Sequence, residues 1–190
     1  MDGNTANSGS AFGIDAQGGG IYDQSALVLT GSDVTNNTVN SGSANILSAS
    51  GGGVWVAGGM ISDSNVSFNI VNSGSGIPLL YLSGGGIYDS GRLTVTNDFV
   101  TYNDINTDPT SGQGLGSFAT GGGMLVEGPT AFVTLNETTM AANYALDPVA
   151  GRTNLNVLGG GRVDPASANN FIGGGSNSGL VNGVNGNALQ

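Results

Sequence analysis

The sequence predicts an all-β chain wound as a right-handed parallel β-helix of about five coils. Three observations predict it. Gly-Gly-Gly triplets recur at Gly18-Gly19-Gly20, Gly51-Gly52-Gly53, Gly84-Gly85-Gly86, Gly121-Gly122-Gly123 and Gly159-Gly160-Gly161, at spacings of 33, 33, 37 and 38 residues. Each triplet opens a short run: Ile21-Tyr22-Asp23, Val54-Trp55-Val56, Ile87-Tyr88-Asp89, Met124-Leu125-Val126 and Arg162-Val163-Asp164. No window carries apolar residues at helical spacing, and the frequent Gly and Asn would interrupt a helix. A unit of this length cannot bury its own apolar face, so it gains a core only by stacking on its neighbours.

Within a unit the elements follow a fixed order. After the triplet run come Ala26–Thr30 in the first unit, Gly59–Ser62 in the second, Arg92–Thr96 in the third and Ala131–Leu135 in the fourth. A third stretch follows: Asp33–Asn40, Asn65–Asn72, Asp98–Asn103 and Glu137–Asn143. Val, Ile, Thr and aromatics fill these runs and Gly, Asn, Ser and Asp separate them, which predicts three short strands per coil. Coils spaced by roughly 4.8 Å give a rod on the order of 25 Å long. The triplets predict a corner where the chain takes positive φ and coils approach closely. Asn36/Asn37, Asn69 and Asn103 predict a second corner, with stacked amides bonding along the rod. The longer units carry their extra residues just before the next triplet, at 106–116 and 145–153. Both insertions contain a turn-initiating Asp-Pro pair, Asp108-Pro109 and Asp147-Pro148, and insertions gathered on one side of a stack mark a variable face.

Composition narrows the function. The 190 residues form one repeat domain, 1–190. Thirteen acids face three bases, Arg92, Arg152 and Arg162, for a net charge of −10. That balance opposes binding to nucleic acid or an anionic membrane. Without cysteine there is no disulfide framework and no thiolate chemistry. No run of about 18 apolar residues suggests membrane insertion, and the polar start Met1-Asp2-Gly3-Asn4 does not read as a signal peptide. Asn7-Ser8-Gly9-Ser10-Ala11 repeats as Asn40-Ser41-Gly42-Ser43-Ala44, so the sequence opens partway through a coil, and 182–190 again reads as mid-coil. Two expectations follow: a segment of a longer surface protein, or a subunit whose ends stack on other copies into a filament.

The Gly-Gly-Gly-Ile pattern followed by Phe99-Val100-Thr101-Tyr102-Asn103 resembles the repeats of polymorphic outer-membrane proteins and related autotransporter passengers. The stretch Asn170-Phe171-Ile172-Gly173 with Gly179-Leu180-Val181-Asn182-Gly183-Val184-Asn185-Gly186-Asn187 is similar to segments of very large bacterial β-helix surface proteins. The resemblance spans nearly the whole chain. It implies a right-handed parallel β-helix, export, and a role in adhesion or cell-surface structure. The sequence departs from those families in lacking a translocating barrel, an anchor and a signal.

The expected function is thus a structural or adhesive rod, extracellular or at the cell surface, and not an enzyme. Its expected partners are copies of itself, the rest of a longer surface protein, or host and environmental glycans. The alternative is a carbohydrate-active β-helix enzyme, a polysaccharide lyase or hydrolase, or a glycan-binding module. Such an enzyme would draw on the basic–acidic neighbours Arg92 with Asp89 and Arg162 with Asp164, since no His is present to shuttle protons. The third position after each triplet runs Asp23, Val56, Asp89, Val126, Asp164, so acids skip a coil. Avoidance of a carboxylate ladder explains this spacing. The alternative reading of these acids is a sparse row of calcium contacts, which the motif does not support, so no cofactor is expected: calcium-binding glycine repeats need a fourth Gly where Ile21 and Ile87 stand. Three sequons, at Asn36, Asn65 and Asn136, offer glycan acceptor sites in a cell that modifies exported protein.

Overall fold

Short runs rich in β-branched residues bury alternate side chains when stacked in parallel. The computed structural model of the chain shows that stack and describes residues 1–7, 15–40, 47–73, 80–106, 117–145, 154–174 and 179–190. Every strand pairing among them is parallel, and the coils form a parallel β-helix. Residues 8–14, 41–46, 74–79, 107–116, 146–153 and 175–178 lie outside the description, and the Asp108-Pro109 and Asp147-Pro148 insertions fall among them.

Four sheets run along the rod, one more than the sequence predicts. Sheet I holds Asp15–Gln17, Leu47–Ser50, Leu80–Ser83 and Ser117–Thr120. Sheet II is the widest. Its rows are Ile21–Asp23 with Leu27–Thr30, Val54–Ser62, Ile87–Thr96, Met124–Glu127 with Phe132–Asn136, and Leu155–Leu158 with Arg162–Val163. Sheet III stacks Asp33–Thr35, Asn65–Ser67, Phe99–Thr101, Thr139–Ala141, Phe171–Ile172 and Ala188–Leu189. Sheet IV stacks Thr5–Asn7, Thr38–Asn40, Ile70–Asn72, Asp104–Asn106 and Tyr144–Ala145. Two things separate this from the three-strand expectation. The run Asp33–Asn40 is cut into two strands, because Asn36 takes φ 56 and Asn37 turns its amide inward. Sheet I was missed because its strands include short polar and small residues, as in Ser48, Ala49 and Ser50.

The predicted Asn corner is a ladder of buried amides. Asn69 uses all four side-chain bonding sites: Oδ1 accepts from the backbone N–H and Nδ2 of Asn37, while Nδ2 donates to Oδ1 of Asn103 and to the Val34 carbonyl, all at 2.8–3.0 Å. The ladder runs Asn4, Asn37, Asn69, Asn103, Asn143, Asn154.

The triplets explain how the ladder comes to be buried. The first glycine of a triplet has left-handed φ, 65° at Gly51. A Cβ on the second, Gly52, would collide with the Gly85 carbonyl oxygen of the next coil and lie 3.1 Å from the Ile70 backbone across the same coil. A Cβ on the third, Gly53, would stand 2.7 Å from Nδ2 of Asn69. The triplet corner is therefore pressed against the Asn corner, and the coil has a waist. On one side, sheets II and III enclose a large core with Val54, Ile61, Ile87, Leu93, Val100 and Met140. On the other, sheets I and IV enclose a small one with Ala49, Leu82, Ala119, Val71 and Ile105.

The fifth triplet departs from this plan. The triplet spacing predicts that Arg162-Val163-Asp164 stacks on Met124-Leu125-Val126. Instead Leu155–Leu158 stacks there, and Arg162–Val163 stacks on Phe132–Val133. Asn154 takes the triplet's place, its carbonyl accepting the Met124 N–H at 2.9 Å as the Gly123 carbonyl accepts that of Ile87. Gly159, Gly160 and Gly161 form the turn between the halves of the last sheet II row, closed by the Gly161 N–H to the Leu158 carbonyl. The physical reason is burial: this register keeps Leu155 against Met124 in the large core, where the predicted one would place Arg162.

Candidate functional site

Sheet II bends midway along each row, and the bend makes the site. Asp89 Oδ1 accepts the Gly91 N–H at 3.0 Å, an Asx turn that shifts the register between Asp89 and Arg92. Asp23 accepts the Ser25 N–H and Asp164 the Ala166 N–H in the same way. At the bend the coils approach so closely that a Cβ on Gly91 would strike the Ala57 carbonyl. Small residues carpet the bend for that reason: Ala26, Ala57, Gly58, Gly59 and Gly91. The result is an open groove of about 820 Å³ that crosses the stack from Ser25 to Arg162.

Two arginines face this groove. Arg92 is exposed and lays its guanidinium carbon 4.8 Å from the centre of the Phe132 ring. Arg162 is exposed two rows from Arg92, its backbone paired with that of the intervening Phe132. Neither makes an ion pair with a described carboxylate. Arg152 lies outside the described residues.

The acids are placed otherwise than their spacing suggests. Asp89 is fully buried between Val56 and Val126, facing the large core, with Oδ2 lacking a hydrogen-bond partner. Burial pushes its carboxyl up to about 7, against the pull of the Gly91 N–H. The structure therefore does not assemble Asp89 with Arg92: one points inward and the other outward. Asp164 is not in this row at all. It follows Val163 beside Val133, and its carboxylate accepts the Thr134 hydroxyl at 3.1 Å. The fifth member of the row is Val157, so the alternation of acids ends at Asp89. Asp23 is held below the usual carboxylate range by the Ser25 hydroxyl and N–H. Asp98 is buried and pushed up to about 6 by burial, opposed by N–H donors from Ser64 and Thr96. Burial also raises Asp104. Among the described residues no three acids gather as a cation would require.

Aromatic rows lie outside the cores. Tyr22, Trp55 and Tyr88 stack on successive coils with centroids 4.8 and 5.6 Å apart. The Tyr88 hydroxyl donates to Glu127, and burial together with that carboxylate pushes its pKa up to about 12. At the Asn corner Phe68 and Tyr102 stack at 5.1 Å, both in left-handed backbone, φ 57 and 55, and 52% and 58% exposed. The sequence analysis did not single out the Tyr22 row, although Tyr22, Trp55 and Tyr88 hold the second position after the first three triplets. Phe132 carried no sequence signal, since its role depends on the neighbouring rows. Of the sequons, Asn36 is exposed and donates to Asp2, whereas Asn65 and Asn136 are half-buried.

These features define a β-solenoid with a basic groove on an acidic rod. No protein-family model matches the sequence, and neither a curated protein nor a solved structure is detectably similar to it.

Proposed function

We propose that this chain is a structural and adhesive rod of an exported or cell-surface protein. The observation that carries the reading is the continuous internal bracing. An amide ladder, buried from Asn37 to Asn154, is flanked by two apolar cores, so each coil locks its neighbours in register. Bracing of this kind suits a part that carries load and holds a long surface in fixed geometry. The half-exposed aromatics, Tyr22, Phe68 and Tyr102, supply contact surface on that rod.

The test is adhesion under flow. Beads carrying the full chain should stay on polysaccharide-coated or cell-derived surfaces at shear that removes albumin-coated beads. Release at the same shear would contradict the adhesive reading. Sedimentation over a concentration series adds the self-association arm, in which stacking of copies raises the apparent mass with concentration. A glycan-binding module is the second reading, favoured by the groove beside Arg92 and Arg162. A carbohydrate-active enzyme on the same groove would release reducing or unsaturated ends from a polysaccharide panel.

A further inference from the structure

Both described arginines of a chain with net charge −10 open onto one groove and neither is neutralised there. In so acidic a chain, nearby carboxylates would ordinarily pair with them. The two closest in sequence are turned away: Asp89 is sealed in the core, and Asp164 is bonded to Thr134 and to the Ala166 N–H. Phe132 lies between the arginines, one row from each, and its ring holds the Arg92 guanidinium in place. Arg92 and Arg162 stand two coils apart, roughly 10 Å along the axis.

We propose that this groove binds an extended uronate polysaccharide, with carboxylates on the chain received by Arg92 and Arg162. The inference rests on the adhesive reading and names its ligand class. Guanidinium forks match planar carboxylates in two-pronged pairs. The groove runs along the rod, so it suits a linear polymer, and its carpet of Ala57, Gly58, Gly59 and Gly91 leaves room for a chain of rings. Ser25, Ser90 and Thr130 bring hydroxyls to its walls. Charge density selects among polyanions. Duplex nucleic acid carries one charge per about 1.7 Å, which two arginines on an acidic rod cannot offset. A sugar chain with at most one carboxylate per ring spaces its charges widely enough.

The experiment is equilibrium binding of the full chain to a galacturonate hexamer, beside a neutral glucan hexamer and a heavily sulfated oligosaccharide of similar length. The expected result is binding of the galacturonate alone, weakened by added salt. Arg92→Gln and Arg162→Gln should each weaken it about tenfold, and the double variant should abolish it. Phe132→Leu should weaken it severalfold by loosening Arg92. Far-UV circular dichroism confirms that each variant is folded, and the salt dependence of the unaltered protein tests ion pairing independently of any variant. No galacturonate binding, equal binding of the neutral hexamer, preference for the sulfated chain, or a double variant that binds undiminished would each overturn the assignment. Beads that adhere under flow while the hexamer fails to bind would sink the groove inference alone and leave the adhesive reading standing.

Discussion

At the residue scale, two side-chain economies decide whether the coils can close. Asn69 satisfies four bonding sites in a fully buried position. Asn69→Ala would leave the Asn37 amide groups and the Val34 carbonyl without these partners, and should cost about 3 kcal/mol in a denaturant melt. An unchanged midpoint would mean that the ladder does not brace the rod. Gly52 and Gly31 make a matched pair. Gly31 has φ 54 but open space where a Cβ would stand, so Gly31→Ala should cost about 1 kcal/mol of backbone strain. Gly52 needs no left-handed backbone, yet a Cβ there meets two backbones. Gly52→Ala should therefore cost more than about 3 kcal/mol, or prevent folding. Equal effects of the two substitutions would refute the waist. The triplets and the Asn37, Asn69 and Asn103 rungs were legible in the sequence because both recur once per unit at nearly the same spacing over the first three units. Asn143 and Asn154 were not read as rungs, because the last step of the ladder spans eleven residues instead of a full coil.

At the element scale, sheet II shows what a repeat pattern can and cannot disclose. That a strand follows each of the first four triplets was legible from Val54-Trp55-Val56 and its equivalents. The fifth triplet misled because glycine serves two purposes here, a waist at Gly121–Gly123 and an ordinary turn at Gly159–Gly161, and the strings are identical. Leu155 and Val157 were the better markers, since burial fixes register more strongly than a turn does. Sheet II and the turn that leads from it into sheet III set a pH response. Asp89 rises to about 7 and Asp98 to about 6 in the folded chain, against an unfolded Asp value near 3.9. The folded state thus binds more protons than the unfolded one between about pH 4 and 7. Stability should fall as pH rises through that window, so the thermal midpoint at pH 5 should exceed that at pH 8. Asp89→Asn keeps an oxygen for the Gly91 N–H without the buried charge. It should raise the pH 8 midpoint and flatten the response. A midpoint that climbs from pH 5 to pH 8 would show that these carboxyls are ionised in the fold at no cost.

At the scale of the whole molecule, charge and bracing divide the surface into roles. The acid excess is spread along the rod while Arg92 and Arg162 meet at one groove, a contrast that composition could not reveal because it arises from stacking rows thirty or more residues apart. The bracing predicts cooperative behaviour. Native-state hydrogen exchange of the backbone N–H groups of Asn37, Asn69 and Asn103, each bonded to the amide oxygen of the next rung, tests that claim most directly. If the ladder and waist lock the coils into one unit, these three amides should be among the slowest in the chain and should exchange together. Exchange that proceeds coil by coil at separate rates, or as fast as at the exposed turns, would contradict a rod braced from within.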